Sequence, residues 1–126
     1  MTNTQANTDT IRKFYDVLEA EDKDMVALAG FLDEDIDFHV IRPKPMRTYP
    51  SRDAMFAYLA KVQDVVPEDG DIKLEQIGAD QDYVMCIHRE AAGTERDHRH
   101  VMIYRMGDGK IVEAWEMTLG NDMDEV

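Results

Sequence analysis

The chain has 126 residues, one domain's worth, enough to bury roughly two thirds of its unfolded surface without a disulfide or metal staple. Its 27 Asp and Glu against 14 Lys and Arg give a net charge of -13, which repels phosphate backbones and acidic membrane surfaces, so neither nucleic acid nor membrane is expected as a partner. The lone Cys86 excludes an internal disulfide and any Cys-rich metal site and fits a reducing, cytoplasmic compartment; no apolar run approaches the roughly 20 residues of a membrane span, and the polar start Met1 to Asp9 does not read as a signal peptide.

The hydrophobic period changes along the chain. Ile11, Phe14, Tyr15 and Leu18 fall at helical spacing behind the cap candidates Thr8, Asp9 and Thr10, predicting a first helix. Asp24 precedes a second helical face of Met25, Val26, Leu28, Ala29 and Leu32. Ile36, Phe38 and Val40 then alternate with Asp37 and His39 as in a half-buried strand. The segment Arg42-Pro43-Lys44-Pro45 ends that strand, because proline cannot donate to a ladder. After Pro50, Ser51 caps a third helix carrying Met55, Phe56, Leu59, Val62 and Val66, stopped by Pro67 and Asp69-Gly70. The remainder reads as strands over residues 72–77, 83–91, 96–106 and 110–118, joined by short turns at 78–81, Gly93-Thr94 and Asp108-Gly109. Asp-Gly between alternating apolar residues is the strongest of these hairpin signals, since both turn residues can adopt positive φ. The acidic segment 120–126 reads as a frayed tail on a single domain with its core over about residues 8–119.

Helices first and antiparallel strands afterwards predict an α+β fold. Four passages then carry a family resemblance: Phe14-Tyr15-Asp16-Val17-Leu18-Glu19-Ala20, Asp35-Ile36-Asp37-Phe38-His39-Val40, Ser51-Arg52-Asp53-Ala54, and Asp108-Gly109-Lys110-Ile111-Val112-Glu113-Ala114-Trp115. In order and spacing the chain resembles the nuclear transport factor 2-like superfamily, in particular its SnoaL-like and limonene-epoxide-hydrolase-like branches. The resemblance implies a curved, mostly antiparallel sheet wrapped around three helices from the N-terminal half, a cone-shaped, cystatin-like α+β barrel with an apolar pocket between helices and sheet. It also implies a choice of functions, because the fold hosts isomerases, epoxide hydrolases, cyclases, dehydratases and plain binding modules.

The positions that carry chemistry in such relatives are mostly apolar in this chain. In ketosteroid isomerases, an Asp base works with an oxyanion hole of Tyr and a protonated Asp. By resemblance the Tyr falls on Phe14, the base on Val40 and the donor Asp on Met102, although an offset of one residue in the first helix would bring Tyr15 into place. Phe, Val and Met neither abstract a proton nor donate to an enolate, which argues against ketosteroid isomerase activity. The catalytic Asp of polyketide cyclases also falls on Met102. Of the Arg and two Asp of limonene-type epoxide hydrolases, two fall on Met85 and Ile87 and one on Glu116.

If Gly93-Thr94 is a two-residue turn, Ile87 lies opposite His100, Met85 opposite Met102 and Arg89 opposite His98. That register predicts a substrate-binding lining of Phe14, Tyr15, Phe38, Val40, Met85, Ile87, Met102 and Tyr104, with Ala114, around the catalytic candidates Glu116 and His100. His98 and His100, two apart on one face, have the spacing of a chelating pair, but no third ligand is evident and no metal is expected. The same register turns His39 and His88 to the opposite face, into surface hydrogen bonds or an interface. Neither a cofactor motif nor a phosphate-cradling glycine loop appears, since Gly107 and Gly109 are turn residues. Val101, Ile103, Trp115 and Met117 form an outward apolar patch that predicts a homodimer through the outer sheet face. The functional expectation is an enzyme acting on a small hydrophobic metabolite by acid-base chemistry, such as a cyclase, dehydratase, isomerase or epoxide hydrolase. The alternatives are a non-catalytic binding or carrier module for such a ligand and an accessory subunit docking through the outer face.

Overall fold

A computed structural model describes residues 3–20, 24–42, 44–65, 72–91, 93–95 and 97–119. In chain order the elements are α1 (Thr4–Glu19), α2 (Met25–Phe31), β1 (Leu32–Arg42), β2 (Arg47–Pro50), α3 (Arg52–Val65), β3 (Lys73–Asp80), β4 (Tyr83–Glu90), β5 (His98–Gly107) and β6 (Lys110–Leu119). The expected stop at Pro67 and Asp69-Gly70, and the acidic segment 120–126, lie outside the described residues. Among the described residues no helix is long and apolar enough to cross a membrane.

Local chemistry explains the helix starts. Asp24 caps α2 by accepting from the amides of Val26 and Ala27, and Ser51 Oγ accepts from the amide of Ala54, so the expected Ser51 cap forms. The first helix begins earlier than expected, at Thr4. Thr8 and Thr10 therefore lie inside it, where their hydroxyls donate back to the carbonyls of Thr4 and Ala6 instead of capping. β2 was not anticipated; it is a short edge strand, the setting in which Pro50 costs no ladder bond.

The six strands form one sheet in the order β2-β1-β6-β5-β4-β3, antiparallel throughout except where β1 runs parallel to β6. With β2 and β3 at its edges the sheet stays open, a curved sheet wrapped around the helices as the family resemblance implied. Register shifts in β1, β3 and at Arg105/Met106 let it curve. The Asp108-Gly109 turn forms as expected, with φ of 51° and 78°, and places Met102 opposite Glu116 and Tyr104 opposite Ala114. The concave face carries the core. Ile11 and Phe14 of α1 pack with Leu28, Ile36, Phe38 and Val40, closed from the far strands by Val84, Met102 and Tyr104.

One register departs from expectation and moves the site. The connection between β4 and β5 is not a two-residue turn: Ala91 and Gly93 both have positive φ, and Ala91 O accepts from the amide of Thr94. The β4–β5 pairing is therefore His88 with His100, Cys86 with Met102 and Glu90 with His98. A slip of one residue turns every side chain of a strand to the other face. Met85 and Ile87 thus leave the predicted lining, Met85 being 47% exposed on the convex side, and His88 enters the interior. Arg89 lies beside Asp97 in a surface ion pair rather than near His98.

Phe38, 1% exposed at the centre of this core, is the sharpest test of the packing. Phe38→Ala is expected to lower the unfolding free energy in urea by about 3–5 kcal/mol, from lost burial plus the cavity left behind.

Candidate functional site

Strand alternation places His88 and Glu90 on the concave side of β4, and His98 and His100 beside them on β5, as two directly opposed cross-strand pairs. Glu116 and Thr118 arrive from β6, Tyr104 from β5 and Tyr15 from α1. The result is a continuous polar chain inside an otherwise apolar core. The Tyr15 hydroxyl lies 2.7 Å from that of Tyr104 and 2.6 Å from His88 Nδ1. His88 Nε2 lies 3.2 Å and His100 Nε2 2.5 Å from the same oxygen of Glu90. His100 Nδ1 is 3.2 Å from Thr118 Oγ1 and 3.4 Å from Glu116 Oε1, and His98 Nε2 is 2.9 Å from His100 Nε2.

Donor and acceptor capacity fixes the direction of this chain. A carboxylate only accepts, so both imidazoles present Nε2–H to Glu90. His88 Nδ1 is then the acceptor for the Tyr15 hydroxyl, and the Tyr15 oxygen in turn accepts from Tyr104.

Burial and pairing shift the titrations in opposed ways. Burial alone would raise the Glu90 carboxyl, but hydrogen bonds from His100 and His88 hold it well below the usual carboxylate range. Burial pulls His100 down, yet its hydrogen bond to Glu90, with the charges of Glu90 and Glu116, leaves it above an ordinary imidazole. His88 goes the other way, because burial outweighs its bond to Glu90. Glu116 is raised chiefly by burial. Burial also drives the Tyr15 and Tyr104 hydroxyls far above an ordinary phenol, so both remain protonated donors.

A cation borders the group. Arg47 of β2, Val40 of β1, Glu116 of β6 and Met102 of β5 form one row across the sheet, since Arg47 pairs with Val40, Val40 with Glu116 and Glu116 with Met102. Arg47 Nε is buried without a hydrogen-bond partner among the described residues, and the guanidinium stands 5.7 Å from the centre of the Tyr58 ring. Nothing in the sequence pattern singled out Arg47, because β2 itself was not anticipated.

Of the residues expected at the site, His100, Glu116, Tyr15 and Tyr104 come together, while Phe14, Phe38, Val40 and Met102 are buried core around them. Met85 and Ile87 do not join them. Glu90 and His88 were missed for one reason, the assumed two-residue turn. The convex-side patch holds a cavity of about 410 Å³ lined by Ile41, Asp80, Tyr83, Met85, Ile103 and Trp115. His39, also on this side, stacks on Trp115 and bonds Glu113 at 2.7 Å and Thr48 at 2.8 Å, as its expected surface role requires.

A family model described as the SnoaL-like domain matches residues 11–114. The chain belongs to the SnoaL-like family, within the nuclear transport factor 2-like superfamily. A search of curated proteins finds no match. Solved structures similar to this SnoaL-like chain include Bal32a from a soil-derived mobile gene cassette, 21% identical with a TM-score of 0.76, covering 92% of this chain and 91% of that one. A nuclear transport factor 2-like protein of unknown function from Mesorhizobium loti is 23% identical with a TM-score of 0.75, covering 95% and 96%. A structure provisionally assigned as a SnoaL-like polyketide cyclase from Jannaschia is 14% identical with a TM-score of 0.72, covering 91% and 86%. At these identities the likeness shows the fold alone.

Glu113 links the convex side to pH. Burial would raise its carboxyl, but hydrogen bonds from His39 and Arg105 bring it below the ordinary value. A carboxyl depressed on folding stabilises above its unfolded pKa, and that contribution disappears as pH falls through the folded value. In urea unfolding, the stability gap between the wild type and Glu113→Gln is therefore expected to be larger near pH 7 than at about pH 3.

Proposed function

We propose that this SnoaL-like chain is an enzyme that moves a proton on a small, largely apolar metabolite. Glu116 is the exchanging group and His100 its relay. The observation that carries this reading is the buried His100–Glu116 contact joined through Glu90 to His88, Tyr15 and Tyr104. Keeping two carboxyls and two imidazoles in an apolar interior is costly unless they are used, and such groups cluster at functional sites. His100, in contact with both carboxylates, can take a proton from Glu116 and return it, so the pair supports acid-base exchange. Arg47, with a buried Nε unpaired among the described residues and in the same sheet row as Glu116, suits a carbonyl or carboxylate oxygen of the ligand. The reaction classes that fit are proton abstraction next to a carbonyl, dehydration, cyclisation and epoxide opening.

The test needs no known substrate. Small apolar ketones and epoxides are incubated in D2O and followed by NMR for deuterium uptake or ring opening. The wild type is expected to accelerate at least one of them, and Glu116→Gln to slow that reaction by about 10²–10⁴-fold, the usual contribution of a positioned acid or base. Undiminished turnover by a Glu116→Gln, His100→Gln double variant would defeat the proposal and leave the binding-module reading.

The convex patch supports a homodimer formed through the sheet. Ile103, Trp115 and Met85 surround its cavity, and such apolar surface is the common mark of an interface. Sedimentation is expected to give a dimer at micromolar concentration and a monomer for Ile103→Asp; a monomeric wild type would count against it.

A further inference from the structure

We infer that His88, Glu90 and His100 form a binding site for one divalent first-row transition ion, with His98 as a fourth donor. One ligand atom from each of His88, Glu90 and His100 lies within 4.8 Å of the others. The ligand atoms around a tetrahedral ion bound at about 2.0–2.1 Å sit roughly 3.3 Å apart, and the separations here fall somewhat short of that value. Glu90 Oε2 is 3.2 Å from His88 Nε2 and 2.5 Å from His100 Nε2, and the Nε2 atoms of His98 and His100 are 2.9 Å apart. An ion would require these donors to part slightly, and Glu90, 31% exposed at the end of β4, is the least buried of the three.

The outer hydrogen bonds point the same way. Metal-bound imidazoles use their second nitrogen to donate to a carboxylate, hydroxyl or carbonyl that fixes the ring. Here both Nδ1 atoms already face such partners, His88 the Tyr15 hydroxyl at 2.6 Å and His100 Thr118 and Glu116. With an ion in place of the Nε2 protons, His88 donates from Nδ1 to Tyr15, and Tyr15 donates to Tyr104. The hydroxyls permit this reversal because each can both donate and accept. Two or three imidazoles with one carboxylate suit zinc, iron(II) or cobalt(II), and disfavour calcium and magnesium, which prefer oxygen ligands.

The sheet also explains why these four residues act as a unit. His88 and Glu90 are two apart on β4, His98 and His100 two apart on β5, and the strands pair His88 with His100 and Glu90 with His98. Each strand offers one face at period two, so the four side chains form a square block on a rigid support.

The inference does not rest on the proton-transfer reading, and it is read without turnover. Protein stripped with a chelator is titrated with Co(II) and followed by visible absorption, and Zn(II) is then added in competition. The wild type is expected to bind one Co(II) per chain with a ligand-field band, displaced by Zn(II). Glu90→Gln is expected to weaken Co(II) binding at least tenfold, as is His100→Gln. Tyr15→Phe, which leaves every donor atom in place, is expected to weaken it about 10–100-fold through the lost outer hydrogen bond. His39→Gln, on the convex side, is expected to bind as the wild type does. Should His100→Gln fail to fold by circular dichroism, the partly exposed Glu90→Gln still decides the matter. A wild type with a Co(II) Kd weaker than about 1 mM, or binding unchanged in Glu90→Gln, overturns the site. Turnover that survives chelation would leave the proton relay standing whichever way the titration falls.

Discussion

The pairing of His88 with His100 across β4 and β5 is the constraint on which the site depends. Side chains alternate faces along a strand, so this single register puts His88 and Glu90 inside with His98 and His100, and sends Met85 and Ile87 outside. Contacts between β4 and β5 hold the register, with Arg89 and Asp97 paired and Asp97 accepting from the amide of Gly93. A tighter turn would have set apolar side chains opposite His100 and left a single carboxylate near it.

Once that register is set, the interior polar groups become mutually dependent. Glu90 is ionised in a partly buried place because two imidazoles donate to it, and His100 is more basic because Glu90 and Glu116 face it. Breaking one link exposes its neighbours to the cost of burial without a partner, which commonly exceeds the net value of a satisfied hydrogen bond. The surrounding core makes that cost real. Phe14 packs edge-on against both Tyr15 and Tyr104, and Val84, Cys86 and Met102 belong to the same buried core.

Convergence distinguishes this site from scattered surface charge. α1 brings Tyr15, β4 brings His88 and Glu90, β5 brings His98, His100 and Tyr104, and β6 brings Glu116 and Thr118. The apolar positions Phe14, Val40 and Met102, where ketosteroid isomerases would hold polar groups, lie beside the cluster as packing. The buried polar groups of this chain lie elsewhere, one to two rows further along β4 and β5.

The sequence by itself determined the fold class, most of the elements and the family. Caps at Asp24 and Ser51, the Asp108-Gly109 hairpin and the alternation of β1 and β6 are local features, set by φ preferences and by the side-chain periods of helix and strand. They were sufficient to bring Tyr15, Tyr104, His100 and Glu116 to one side. Tertiary structure alone decided that His88 and Glu90 join them, that Arg47 borders them, and that the sheet stays open. The reason is physical: the length of the loop between β4 and β5 is fixed by contacts among Ala91, Gly93, Thr94 and Asp97 that no periodicity encodes, and a strand read one residue out of register changes face along its whole length.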